Sequence, residues 1–105
     1  MNKKISLYEF CNSDEKLAIH ITKRDQAKKL CKAFHMLGKT WIDSYSYLKD
    51  DFYNFYKNHT CYSNDGRIYP IELSEKKGCN KIYEFEEVEL NNSLNKSIKN
   101  NEFSF

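Results

Sequence analysis

An apolar stripe over residues 23–37 constrains this chain more than any other feature. Ala27, Leu30, Cys31, Phe34 and Leu37 recur at helical spacing, with Lys28, Lys29 and Lys32 between them. Such a helix has one apolar face and one wet face, so it must lie on another layer. Thr22 stands where an N-cap is expected, and Asp25 where a capping box places its acid, in a shorter variant of the usual Glu. Gly38 stands where a left-handed residue ends a helix.

The other layer is read from short alternating runs. Residues 3–10 set Ile5 and Leu7 against Ser6 and Tyr8, and Leu17, Ile19 and Ile21 alternate with Ala18 and His20. Both runs read as strands, and the turn cluster Asn12-Ser13-Asp14 between them predicts a hairpin. Residues 39–44, with Trp41, read as a strand returning along the sheet. Phe52, Phe55 and Tyr56 favour a short helix, and 74–78 reads as one helical turn. Residues 60–63 form a strand, Asn64-Asp65-Gly66 a strong turn, and 67–71 an answering strand that Pro70 confines to an edge. Residues 81–88 set Tyr83 and Phe85 among charges and read as the last strand. The expected fold is therefore α+β. One amphipathic helix packs on a small, mostly antiparallel sheet over residues 1–90, and 91–105 form a flexible polar tail.

The chain lacks the familiar signatures of catalysis. There is no P-loop, no G-x-G-x-x-G, no H-E-x-x-H and no G-x-S-x-G. Cys11, Cys31, Cys61 and Cys79 match no zinc spacing, and His20, His35 and His59 suggest no shared metal. His59 beside Cys61 is a nucleophile pair only in outline, because no orienting acid is evident. No leader or membrane span is read, so the expectation is a cytoplasmic protein with reduced thiols, no metal and no cofactor.

Net charge is +2, too small to make direct nucleic-acid binding the expectation. Its distribution is uneven. Residues 1–49 hold ten Lys/Arg against five Asp/Glu, and residues 50–105 hold seven against ten. Lys23, Arg24, Lys28, Lys29, Lys32 and Lys39 make a basic helix face, suited to a phosphate backbone or simply to water. Glu84, Glu86, Glu87 and Glu89 make an acidic run, which can imitate phosphate spacing in a basic groove or protect an edge strand. Tyr45, Tyr47, Phe52, Tyr53 and Tyr69 belong to an aromatic-rich middle that either completes a core or offers rings for stacking on a base. Arg67 is one of only two arginines among seventeen basic residues, and it follows a tight turn. A guanidinium there suits a phosphate or carboxylate.

Leu37-Gly38, Trp41, the run Asn58-His59-Thr60-Cys61-Tyr62, the turn Asn64-Asp65-Gly66 and the run Lys81-Ile82-Tyr83-Glu84-Phe85 occur in that order. The stretch resembles small proteins encoded by phages and prophages of low-GC Gram-positive bacteria. Where that pattern continues with an aromatic-Gly stretch after the turn, this chain has Arg67-Ile68-Tyr69-Pro70. The resemblance implies an anti-defence protein that binds a component of the infected host without chemistry. The first expectation is an inhibitor whose residues Glu84, Glu86, Glu87 and Glu89 contact a defence protein such as a CRISPR effector. The second is an oligomeric sponge that holds a nucleotide immune signal with Trp41, Tyr45, Tyr47, Arg67 and Tyr69.

Overall fold

The computed structural model describes residues 4–90, so the expected polar tail over 91–105 lies outside the described residues. At the centre is strand β2, Leu17–Ile21, whose two faces are both covered. Leu17, Ile19 and Ile21 face the main core, and Ala18 faces a smaller cluster with Cys61 and Cys79. The strict alternation of the run makes this two-sided burial possible.

Three further strands complete the main sheet: β3 (Thr60–Ser63), β4 (Ile68–Pro70) and β5 (Lys81–Glu84). The order is β4-β3-β2-β5. β3 runs antiparallel to both β2 and β4, while β5 runs parallel to β2, with Ile19 opposite Tyr62 on one side and Tyr83 on the other. The sheet is thus mixed, with two antiparallel pairings and one parallel. β4 is an edge, as Pro70 requires. A second, two-stranded parallel sheet joins β1 (Ile5–Ser6) to β6 (Val88–Glu89).

Among the described residues of the run 3–10 only Ile5–Ser6 is strand, and it pairs with β6 near the other end of the described chain instead of forming a hairpin with β2. From Leu7 to Asn12 it is helix α1. The reason is a capping box: the Ser6 hydroxyl accepts from the Glu9 N–H at 3.1 Å, and the Glu9 carboxylate accepts from the Ser6 N–H at 3.2 Å. Leu7 and Phe10, one turn apart, are both fully buried.

Helix α2, Arg24–Met36, buries Ala27, Leu30, Cys31, Ala33 and Phe34 against the sheet. Its start differs from the expected box. Lys23 is the N-cap without a side-chain bond, the Thr22 N–H donates to Gln26 at 2.9 Å, and Asp25 pairs with Lys29 at 3.2 Å. Its end is a Schellman motif: Gly38 at φ +81° donates to His35 at 2.9 Å, and Lys39 to Phe34 at 3.0 Å.

No strand forms over 39–44. Only an isolated bridge joins Thr40 to Ser46, and the chain turns back through Ser44 at φ +74°. The Asp43 carboxylate accepts from the Tyr45 N–H at 3.2 Å, and this local bond favours a turn over a ladder. The expected helix around Phe52–Tyr56 is α3 (Tyr53–Tyr56), followed by a 3₁₀ turn over Lys57–His59, while the helical turn expected at 74–78 forms earlier as α4 (Ile71–Ser74), with 75–78 a plain turn. The last run breaks too. After β5 the chain makes a 3₁₀ turn over Phe85–Glu87 and then leaves the main sheet for β6.

Candidate functional site

Much of the aromatic-rich middle is core. Trp41 is 4% exposed, and its ring centroid lies 4.3 Å from that of Tyr47, 5.1 Å from Phe52 and 5.4 Å from Tyr62. Its indole N–H donates to the Asp50 carbonyl at 3.0 Å. Tyr47 is buried between Trp41 and Phe34, whose ring lies 4.8 Å away. The Tyr62 hydroxyl donates to the Asp51 carbonyl. The two tyrosines are held well above the usual phenol range, chiefly by burial, so both stay neutral.

One edge of this cluster opens to solvent as a cleft of about 260 Å³. Trp41, Ile42, Phe52, Ile68 and Tyr69 give it apolar walls, and Arg67 and Asp43 supply charge. The turn after β3 sets the geometry. Gly66 at φ +82° brings its carbonyl to 3.0 Å from the Ile42 N–H, which closes one side of the cleft. Arg67 follows, with its backbone fixed by bonds to Ser63 at 2.9 and 3.1 Å. Its side chain is half-exposed, with Nε 3.6 Å from Asp65. Among the described residues its terminal amino groups have no acceptor. Tyr69 is braced from behind by Lys16, whose ammonium donates to the hydroxyl at 2.8 Å and lies 4.8 Å from the ring centroid.

Of the five residues read as a nucleotide site, Trp41, Arg67 and Tyr69 meet in this cleft. Tyr47 sits in the core, and Tyr45 is exposed outside the cleft walls. The five-residue reading left out Phe52, which stands in the aromatic-rich middle, and sequence reasoning missed Ile42 and Ile68. Phe52 carries a signal in retrospect: Asp50 and Asp51 precede it, and their carboxylates accept from the N–H groups of Phe52 and Tyr53 at 2.8 and 3.0 Å. These turns hold Phe52 at φ +54°.

The acidic run makes no continuous stripe. Glu84 sits 2.9 Å from Nδ1 of His20, whose Nε2 lies 2.8 Å from the Asn58 carbonyl. Glu87 folds back to accept from the Glu84 N–H at 2.9 Å, and Glu86 accepts from Gln26 at 3.2 Å. Glu89 lies on β6, opposite Ser6 in the other sheet. The basic helix face is also partly committed. Arg24 pairs with Asp51 at 3.3 Å and bonds Asn54, while Lys29 pairs with Asp25.

Cys61 shares a buried cluster with Cys79 and stands opposite His20 across the β2–β3 pairing, but the His20 ring is taken up by Glu84 and the Asn58 carbonyl. All four cysteines are free. Burial pushes Cys61 up to about 11, partly offset by a bond with Ser74, and pushes Cys31 up to about 12. His59 turns from Cys61 to pair with Glu72 at 2.6 Å. Among the described residues no group of three or more His, Cys, Asp or Glu is placed to hold a metal ion, and no helix is long and apolar enough to cross a membrane. No family model, no curated protein and no solved structure matches the chain.

Proposed function

We propose that this protein acts by binding and not by turnover, and that its ligand is a nucleotide held in the Trp41–Arg67–Tyr69 cleft. One observation carries the reading. An arginine whose terminal amino groups have no acceptor among the described residues stands at the mouth of an aromatic-walled concavity. A guanidinium fork binds phosphate through paired hydrogen bonds, and aromatic and apolar walls accept a base by stacking. The volume, about 260 Å³, lies just below the usual range for ligand sites, room for a base with its phosphate at the open mouth beside Arg67. Joined to the resemblance to phage-borne proteins, this favours the sponge, which would sequester a nucleotide immune signal in an infected cell.

The inhibitor reading has weaker support. It needs an acidic stripe free to enter a basic groove, whereas Glu84, Glu86 and Glu87 spend their carboxylates on His20, Gln26 and the Glu84 backbone. The experiment is titration of the full chain with mononucleotides by calorimetry. Arg67→Ala is expected to weaken binding at least about tenfold. Arg67 is half-exposed, so its variant keeps the melting temperature of the parent. In a phage-infection assay Arg67→Ala loses activity and the Glu86→Lys/Glu89→Lys double variant keeps it. The opposite pattern in folded variants restores the acidic run as the functional surface. Catalytic alteration of a nucleotide by the purified protein ends the binding reading altogether.

A further inference from the structure

A second cleft, of about 360 Å³, lies between α2 and the loop 47–51. Its rim carries Lys28 and Lys32, one turn apart on the helix, and Lys49 from the opposing loop. All three are exposed, and among the described residues none of their ammonium groups has a carboxylate or hydrogen-bond partner. The other charges at the cleft are largely spent. Arg24 is paired with Asp51, and Asp51 also accepts from the Tyr53 N–H. One oxygen of Asp50 accepts from the Phe52 N–H. Tyr47 and Cys31 line the cleft as well, both buried and neutral.

We infer that this cleft binds a phosphate-bearing small molecule carrying at least two negative charges. Three lysines line it from both sides, and Asp50 alone opposes them. That leaves an excess of two positive charges, which matches a phosphate dianion or a diphosphate better than a single carboxylate. The low local dielectric of a cleft strengthens such pairing relative to an open surface. Lysines on a solvated helix face need no partner across from them; Lys49 supplies one here, from a loop that the Trp41–Asp50 bond holds in place. This site is separate from the Arg67 cleft and does not rest on that reading.

The test is calorimetric titration of the full chain with inorganic pyrophosphate at about 0.15 M salt. Lys28→Gln/Lys49→Gln is expected to weaken binding at least about tenfold. Lys29→Gln/Lys76→Gln removes the same charge outside the cleft and is expected to change affinity less than about twofold, the range of a surface charge. Equal losses in the two double variants would show attraction by net charge alone and overturn the site. So would failure of the parent protein to bind at about 1 mM pyrophosphate. A matching loss in Arg67→Ala would place the anion in the other cleft and also overturn the proposal. Displacement of pyrophosphate by oligothymidylates with affinity rising with length would replace the small molecule by a nucleic-acid strand.

Discussion

Gly66 and Gly38 share a backbone conformation and differ in what surrounds them. Their φ angles are +82° and +81°. A Cβ on Gly66 would stand 2.7 Å from the Ile42 nitrogen and 3.1 Å from the Thr40 carbonyl oxygen, while a Cβ on Gly38 meets nothing within 4 Å. Alanine at either site bears a left-handed strain of about 1–2 kcal/mol. Only Gly66→Ala adds a collision with backbone, which cannot swing away as a flexible side chain does. Gly66→Ala is thus expected to lower the melting temperature more than Gly38→Ala, and to weaken the proposed nucleotide binding by displacing Ile42 from the cleft wall. Equal shifts in the two variants would show that the 39–42 backbone yields.

Between elements, a few side chains hold the pieces in place. Asn64 is one. Its amide donates to the Phe10 carbonyl at 3.0 Å and to the Glu15 carbonyl at 2.8 Å, and its oxygen accepts from the Leu17 N–H at 3.1 Å. It ties the end of α1, the following turn and the start of β2 to the turn after β3. Asn64→Ala leaves these groups unpaired and is expected to cost about 1–3 kcal/mol. Asn64→Asp sets a carboxylate against two carbonyl oxygens and should be at least as damaging. A thermal melt in which Asn64→Asp matches the parent protein would remove the amide's role. Helix α2 has its own anchor in Phe34, which is 1% exposed and packs on Tyr47 and Phe10. Phe34→Ala should cost about 3–5 kcal/mol, close to the whole stability of a small domain. Circular dichroism of a fully folded Phe34→Ala protein with the parent's melting temperature would contradict the helix's orientation.

Across the molecule, the four thiols and the two core tyrosines shift in one direction. Burial raises Cys11 to about 11, Cys31 to about 12 and Cys61 to about 11, from an ordinary 9.0. Cys79, Tyr47 and Tyr62 are raised by the same cause, and Lys16 is raised chiefly by its bond to Tyr69. In each case the folded state holds its proton more tightly than the unfolded chain. The stabilisation is complete below the unfolded thiol value of 9.0 and is lost as pH climbs through the folded values near 11 and 12. In the presence of reductant, the melting temperature should fall steadily above pH 9, and less steeply in a Cys31→Ala variant. A melting temperature that holds to pH 11 would mean these groups are solvated.

Local chemistry determined the parts of this protein that local chemistry controls. The stripe from Ala27 to Leu37 and the glycine after it specify α2, because helical periodicity and a left-handed stop act over a few residues. The alternation at 17–21 and the turn at 64–66 specify β2 and the β3–β4 pair for the same reason. The Ser6–Glu9 box was equally local, but the alternation of Ile5 and Leu7 overlies it, and the two periods compete over too few residues to separate. What needed the tertiary structure was partnership at long range. β1 pairs with β6, more than eighty residues away, and β5 enters parallel to β2 after a long crossover. No local pattern encodes either choice, because both depend on which apolar faces remain uncovered once α2 has packed. The cleft follows the same division. Arg67 beside a tight turn was visible as a rare guanidinium, yet only packing decided that Tyr47 goes inward, that Phe52 completes the wall, and that Glu84, Glu86 and Glu87 turn toward groups of the chain itself.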